Sequence, residues 1–77
     1  MKRITILGST GSVGCSTVDL LARHPERYEV EALTANANVD LLAEQARRLR
    51  AKLAVVADDS RYADLKRALA GSGIAVA

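Results

Sequence analysis

The sequence predicts an α/β fold built on a doubly wound parallel sheet, of which this chain carries the first half. Short aliphatic runs alternate with segments whose apolar residues recur at helical spacing, in the order β-α-β-α-β-α-β. The segments between successive runs are long enough for parallel crossovers. A glycine-rich turn joins the first strand to the first helix, as in folds of the Rossmann-like kind.

The first half of the chain predicts two strands with a helix between them. Residues 4–7 are nearly all apolar, which predicts a strand buried on both faces. Residues 12–23 predict a helix that ends before Pro25, because the residue before proline avoids the α region. Residues 28–35 predict the second strand. The inward face of the helix is predicted to consist of Gly14, Thr17, Val18 and Leu21.

The second half repeats this alternation. Asn38 is predicted to cap a second helix, with Asp40 in the first turn of that helix. Residues 53–57 are predicted to form a third strand, and residues 74–77 the beginning of a fourth. A third helix follows residues 58–60. The second helix has the apolar stripe Val39, Leu42, Ala43, Ala46 and Leu49, and the third has Tyr62, Leu65, Ala68 and Leu69. We expect an uncovered fourth strand to continue into a larger protein.

Composition excludes several functional classes. Of 77 residues, 49% are hydrophobic and almost all of these are aliphatic, which suits helices packed on a sheet. A single cysteine, Cys15, allows no internal disulfide and indicates a reducing compartment. The net charge of +2 comes without a long basic run, and no apolar stretch approaches the about 20 residues that span a bilayer. We therefore expect a soluble, cytoplasmic protein that binds neither nucleic acid nor membrane.

The glycine-rich turn has the pattern G-x-x-G-x-x-G over residues 8–14. Backbone N–H groups and the dipole at a helix N-terminus favour an anion such as a phosphate. The three glycines have separate roles: a tight turn, close approach of the ligand, and close packing of helix on strand. We predict a dinucleotide site here, although glycine turns also join strands to helices for structural reasons alone. Its predicted residues are Gly8, Thr10, Gly11, Ser12, Val13 and Gly14.

The end of the second strand predicts which dinucleotide is bound. Sites for NAD usually place a carboxylate there to hold the ribose 2′-hydroxyl, whereas residues 35–38 read A-N-A-N. Asn36 and Asn38 offer amide donors to a 2′-phosphate, which favours NADPH over NADH. The alternative is that Asn38 is only a helix cap and Asn36 only a turn residue. Neither lysine nor arginine occurs in this tetrad, so another residue has to pair with the phosphate.

The remaining polar residues predict no catalytic or metal site. Cys15 is interpreted as a packing residue, His24 as solvated, and the pair Asp58 and Asp59 as a helix start. Basic residues 47–52 are interpreted as a solvated helix end. Neither a catalytic pair nor a triad is visible, so the catalytic and metal residues are expected outside this segment.

Residues 4–14, followed by Ser16-Thr17-Val18-Asp19, resemble the N-terminus of the 1-deoxy-D-xylulose-5-phosphate reductoisomerase family. That family typically has G-S-T-G-S-I-G and then S-T-x-D. The resemblance continues through His24, Pro25, Val30, Ala32-Leu33, Ala35 and Asn38-Val39. It implies that Thr10, Gly11, Ser12 and Val13 lie over the cofactor phosphates and that Asn38 lies near the adenosine ribose. Many members have Gly and a basic residue at positions 36 and 37, where this chain has Asn36-Ala37.

The resemblance also implies an activity for the whole protein. It would be an NADPH-dependent oxidoreductase and isomerase that makes 2-C-methyl-D-erythritol 4-phosphate from 1-deoxy-D-xylulose 5-phosphate, in non-mevalonate isoprenoid biosynthesis. A divalent metal, Mg or Mn, a sugar-phosphate substrate and a homodimer are implied for the whole protein. Residues 1–77 would be its NADP(H)-binding N-terminal segment, without the catalytic and C-terminal domains and without catalysis of its own.

Two other functions stay open at this point. One is the N-terminal part of an NADP-dependent semialdehyde or acyl-phosphate reductase, which also begins with a strand and G-x-x-G-x-x-G. The other is a stand-alone nucleotide-sensing module. The S-T-x-D continuation at residues 16–19 favours the reductoisomerase.

Overall fold

The structure, a computed structural model, describes residues 2–77 and consists of one four-stranded parallel sheet with three α-helices. The strands are β1 (Lys2–Ile6), β2 (Tyr28–Ala35), β3 (Leu53–Val56) and β4 (Ala75–Val76). The helices are α1 (Ser12–Ala22), α2 (Val39–Leu49) and α3 (Tyr62–Ala68), and a short 3₁₀ turn, Asp59–Arg61, precedes α3. The predicted α/β class and order of elements are confirmed.

The strands lie side by side in chain order, β1-β2-β3-β4, and every neighbouring pair is parallel. Right-handed crossovers that advance in one direction place all their helices on the same face of the sheet. Accordingly α1 contacts α2, and α2 contacts α3. The carboxyl ends of β1, β2 and β3 lie at the same edge, which brings the segments after residues 6, 35 and 56 together.

The hydrophobic core fills the space between this helical layer and the sheet. The stripe predicted on α2 is confirmed, with Leu49 half-buried and its other members buried. On α1, Thr17 is half-buried and the other predicted inward residues are buried. The core residues with the least exposure are Val18, Leu33, Leu42, Ala46, Ala54 and Leu65. Loss of one such leucine to alanine costs about 2–5 kcal/mol, so this layer contributes strongly to the stability of the sheet that carries the loops.

Two predictions about the core are wrong. The strand predicted over residues 4–7 ends at Ile6, and Leu7 is 79% exposed. Thr5 is exposed as well, because β1 is an edge strand of this sheet and the helices cover only one face. Tyr62 is 39% exposed because it is the first residue of α3, where the chain has only just left the 3₁₀ turn.

The basic end of α2 is exposed but paired, which differs from the predicted solvated helix end. Arg48 forms a 2.8 Å ion pair with Asp19 of α1, and Arg47 donates over 2.8 Å to the carbonyl of Ala68 in α3. The reason is tertiary: α2 lies between the other two helices, so its last turn reaches both. No helix of residues 2–77 has the length and apolar character needed to cross a membrane.

Candidate functional site

The glycine loop, residues 8–14, leaves the carboxyl end of β1 and is held by β2. The N–H of Gly8 donates to Oγ1 of Thr34 over 3.0 Å, and the N–H of Ser9 donates to the carbonyl of Thr34 over 2.8 Å. Because Thr34 is the next-to-last residue of β2, the loop starts at a fixed position beside the segment that follows β2.

The three glycines of the loop differ in how strictly the fold requires them. Gly8 has φ of +71°, a conformation that L side chains rarely adopt. A Cβ atom at Gly14 would overlap the carbonyl oxygen of Gly8 and lie 2.7 Å from Cα of Ser9. Gly11 has φ of −74°, and a Cβ there would meet only the Gly8 carbonyl at an ordinary 3.5 Å. The fold therefore requires glycine at positions 8 and 14 but not at position 11.

The N-terminus of α1 is open to a ligand. Gly11 is its N-cap residue and makes no side-chain capping bond, and no acidic residue occurs in the first turn. Gly11, Ser12 and Val13 are exposed, Val13 to 80%. The first N–H groups of a helix have no carbonyl one turn earlier to bond, and together they carry partial positive charge. This end of α1 can therefore accept an anion, and a Cβ at Gly11 would have only the Gly8 carbonyl oxygen within 4 Å.

Residues 36–38 lie at the same sheet edge, after β2. Oδ1 of Asn38 accepts a bond from the N–H of Leu41 over 3.3 Å, so the predicted helix cap is confirmed. This bond uses the oxygen and leaves the amide nitrogen to donate. Asn36 is exposed, and its carbonyl accepts a 2.9 Å bond from the N–H of Asp58. Capping by Asn38 is thus compatible with a second role toward a ligand.

Two residues of interest were missed by the sequence interpretation. Arg61, after β3, lines a small cleft together with Asn38 and Asp40. Gln45 of α2 is buried and donates over 2.9 Å to the backbone carbonyl of Ser9. The signal for Gln45 was a polar residue within an apolar stripe. The signal for Arg61 was its position just after the third strand, whose carboxyl end meets that of the second.

The other polar candidates have structural contacts. Cys15 is half-buried, and its Sγ lies 3.6 Å from the carbonyl oxygen of Thr10. Asp58 accepts bonds from the hydroxyl and N–H of Ser60, which lower the pKa of its carboxyl group, and so it caps the 3₁₀ turn as predicted. Within residues 2–77 no three His, Cys, Asp or Glu side chains are grouped so as to hold a metal ion.

Comparisons with known proteins, by family model, by sequence and by structure, all point to the same family. The family model for 1-deoxy-D-xylulose 5-phosphate reductoisomerase matches residues 4–77. The reductoisomerases of Rhodospirillum centenum and Gluconobacter oxydans are 61% and 62% identical to this chain over 77 and 76 residues. These alignments cover 100% and 99% of this chain but only 19% of each relative, so the chain spans a minor part of their length.

Solved structures of the same kind superpose closely. The reductoisomerase from Zymomonas mobilis in complex with NADPH has a TM-score of 0.96 and 56% identity, covering 97% of this chain and 20% of that one. A reductoisomerase in complex with NADPH, fosmidomycin and magnesium has a TM-score of 0.88 and 29% identity. The superposition covers 99% of this chain and 19% of that one.

Proposed function

The chain belongs to the 1-deoxy-D-xylulose 5-phosphate reductoisomerase family, and on that premise we propose that it forms the NADPH-binding segment of such an enzyme. In this proposal the glycine loop and the N-terminus of α1 hold the pyrophosphate, and residues 36–38 lie at the 2′-phosphorylated ribose. The proposed binding residues are Gly8, Thr10, Gly11, Ser12, Val13, Gly14, Asn36 and Asn38.

One observation carries this proposal: neither the backbone conformation nor the packing requires glycine at position 11. Its φ of −74° suits any residue, and the nearest contact of an added Cβ is an ordinary one. The missing side chain leaves room directly above the positive end of α1, where a phosphate oxygen could approach the N–H groups. A structural turn needs only Gly8 and Gly14, so Gly11 supports the ligand-binding role.

The preference for NADPH is supported by the surroundings of Asn38. Residues 35–38 at the end of β2 include no carboxylate that would repel a 2′-phosphate, and the carboxylates of the adjoining cleft, Asp40 and Asp64, come from α2 and α3. We propose that Arg61, beside Asn38 in the cleft, supplies the positive charge that this tetrad lacks. Asp64 lies 3.7 Å from Arg61 but is held at 2.6 Å by Arg67, so Arg61 has the looser contact and can turn toward a phosphate.

For the whole protein we propose the reduction and isomerisation of 1-deoxy-D-xylulose 5-phosphate to 2-C-methyl-D-erythritol 4-phosphate. NADPH would supply the hydride, and the residues of this chain would bind and orient the cofactor. The Mg or Mn ion, the catalytic residues and the sugar-phosphate site would lie beyond residue 77. The protein would be a cytoplasmic homodimer, and residues 1–77 alone would not catalyse the reaction. Family membership favours this activity over a semialdehyde reductase or a stand-alone sensor.

The proposal is tested by calorimetric titration of NADPH and of NADH into the full-length protein. We expect tighter binding of NADPH, and loss of binding in Gly11→Val because the added side chain fills the space for the pyrophosphate. Unchanged affinity in a folded Gly11→Val variant would contradict the loop assignment. Tighter binding of NADH would remove the 2′-phosphate assignment but leave the loop in place.

A further inference from the structure

Gln45 is a buried amide on the otherwise apolar face of α2. It is 4% exposed, and within residues 2–77 only it and Ser9 are polar residues buried to this extent. Burial of an amide without a partner costs free energy, so its hydrogen bonds indicate what it does. Nε2 donates to the carbonyl oxygen of Ser9 over 2.9 Å and lies 3.5 Å from Sγ of Cys15. The nitrogen of Gln45 therefore contacts both the glycine loop and α1.

These contacts fix the peptide groups of the loop from two sides. Ser9 is fully buried, its N–H bonds to the carbonyl of Thr34 in β2, and its carbonyl bonds to Gln45 in α2. Within residues 2–77 neither the Ser9 hydroxyl nor Oε1 of Gln45 has a partner. The orientation of Ser9 thus depends on its backbone bonds, of which Gln45 provides the one from the helical layer.

The same helix also carries the other half of the proposed cofactor site. Asn38 caps α2 and Gln45 lies seven residues later, about two turns or roughly 10 Å along the axis. The length of an α-helix changes little over two turns, because each residue adds a regular rise of about 1.5 Å. A bond from Gln45 to the loop therefore fixes the distance between the loop and the N-terminus of α2.

We propose that Gln45 is a positioning residue for the cofactor. It holds the glycine loop at a set distance from Asn38, so that the pyrophosphate and the 2′-phosphorylated ribose fit their two sites at once. This inference rests on the proposed function, because it presupposes that NADPH is the ligand.

The test uses Gln45→Met in the full-length protein. Methionine has nearly the same length and fills the same space, but it has no donor. The dissociation constants of NADPH and of adenosine 2′-monophosphate are measured for the wild-type protein and the variant. The constant for the mononucleotide is obtained by competition with NADPH. The mononucleotide has the 2′-phosphate and the adenosine but no pyrophosphate. We expect the constant for NADPH to rise about fivefold or more, as for loss of one buried hydrogen bond, and the constant for the mononucleotide to stay within about twofold.

Leu49→Ala is the matched control, since it removes packing from the last turn of the same helix away from the loop. It should lower the melting temperature without raising the NADPH dissociation constant. The inference is overturned if Gln45→Met leaves the NADPH constant unchanged, if both ligands weaken equally, or if Leu49→Ala weakens NADPH to the same extent. Failure of the wild-type protein to bind NADPH would instead overturn the proposed function.

If Gln45→Met does not fold, the wild-type protein decides the question by NMR. The side-chain amide resonances of Gln45 should shift when NADPH binds and stay in place when adenosine 2′-monophosphate binds. Resonances that stay in place with both ligands, or shift equally with both, overturn the inference.

Discussion

Gly14 in the first turn of α1 lies directly against the carbonyl of Gly8, six residues earlier, with no room for a Cβ atom between them. The close approach places the N-terminus of α1 at the carboxyl end of β1, where the glycine loop closes. The contact is with backbone, which cannot rotate away as a flexible side chain could. The position of the N-terminus of α1 therefore depends on a glycine at position 14.

Gly14→Ala is expected to destabilise the full-length protein by about 1–3 kcal/mol, as for overpacking in a core. Gly11→Ala is the control, because a Cβ there has space; it should cost no more than about 1 kcal/mol, since alanine is a poorer N-cap than glycine. Thermal unfolding of both variants measures the difference. Equal losses of stability would contradict the separate roles of the two glycines.

Asn38→Asp separates capping from cofactor preference. Aspartate caps a helix about as well as asparagine, so stability should change by less than about 0.5 kcal/mol. The new carboxylate should repel a 2′-phosphate and accept a bond from a 2′-hydroxyl, which shifts preference from NADPH toward NADH. Titration with both cofactors checks this. A variant with unchanged preference would show that Asn38 acts only as a cap.

Arg61→Leu is expected to weaken NADPH binding about tenfold, as for loss of one charge-assisted hydrogen bond. Binding of NADH, which lacks the 2′-phosphate, should not change. Arg67→Leu is the matched control, because Arg67 pairs with the same Asp64 but does not line the cleft beside Asn38. Equal effects of the two substitutions on NADPH would indicate a general loss of positive charge rather than a contact of Arg61.

Arg50→Gly is expected to stabilise the protein. Arg50 ends α2 with φ of 52° and ψ of 45°, a left-handed conformation that favours glycine. Relief of the strain is worth about 1–2 kcal/mol, partly offset by the greater entropy of glycine in the unfolded chain. A net gain of roughly 0.5–1 kcal/mol follows from these opposing values. Arg50→Ala, which keeps the strain, should show no such gain in thermal unfolding.

An ion pair at the amino ends of β2 and β3 predicts a pH dependence. Lys52 lies 2.8 Å from Glu29, and its hydrogen bond and charge lower the pKa of that carboxyl group below 4.5. In turn, the hydrogen bond from Glu29 raises the pKa of Lys52 above 10.5. The contribution of Glu29 is present above its unfolded-state pKa and is lost as pH falls through the lowered one. That of Lys52 is present below its unfolded-state pKa and is lost as pH rises through the raised one.

Lys52→Met should therefore reduce stability near neutral pH, and its difference from wild type should disappear in acid and in strong base. Both groups are exposed, so the effect should be small and weaker at high salt. Lys66→Met, which removes an exposed lysine without an ion-pair partner among residues 2–77, is the control. A difference that persists below the lowered pKa of Glu29 would contradict this account.

The sequence alone determined the fold class, the glycine loop and the family. These features depend on local patterns: aliphatic runs, helical spacing of apolar residues, and the motif at residues 8–19. Capping by Asn38 was predictable for the same reason, since a cap bonds to an N–H three residues away. Assignment of the cofactor contacts to individual residues stays a prediction.

The tertiary structure decided the exposure of Leu7, the bond between Gln45 and Ser9, and the position of Arg61 beside Asn38. Gln45 and Ser9 are 36 residues apart, and Arg61 and Asn38 are 23 apart in the printed sequence. Which residues meet over such distances depends on which strands are neighbours and which face the helices cover. Short-range periodicity carries no information about either, because the same helix or strand pattern forms whatever the order of strands in the sheet.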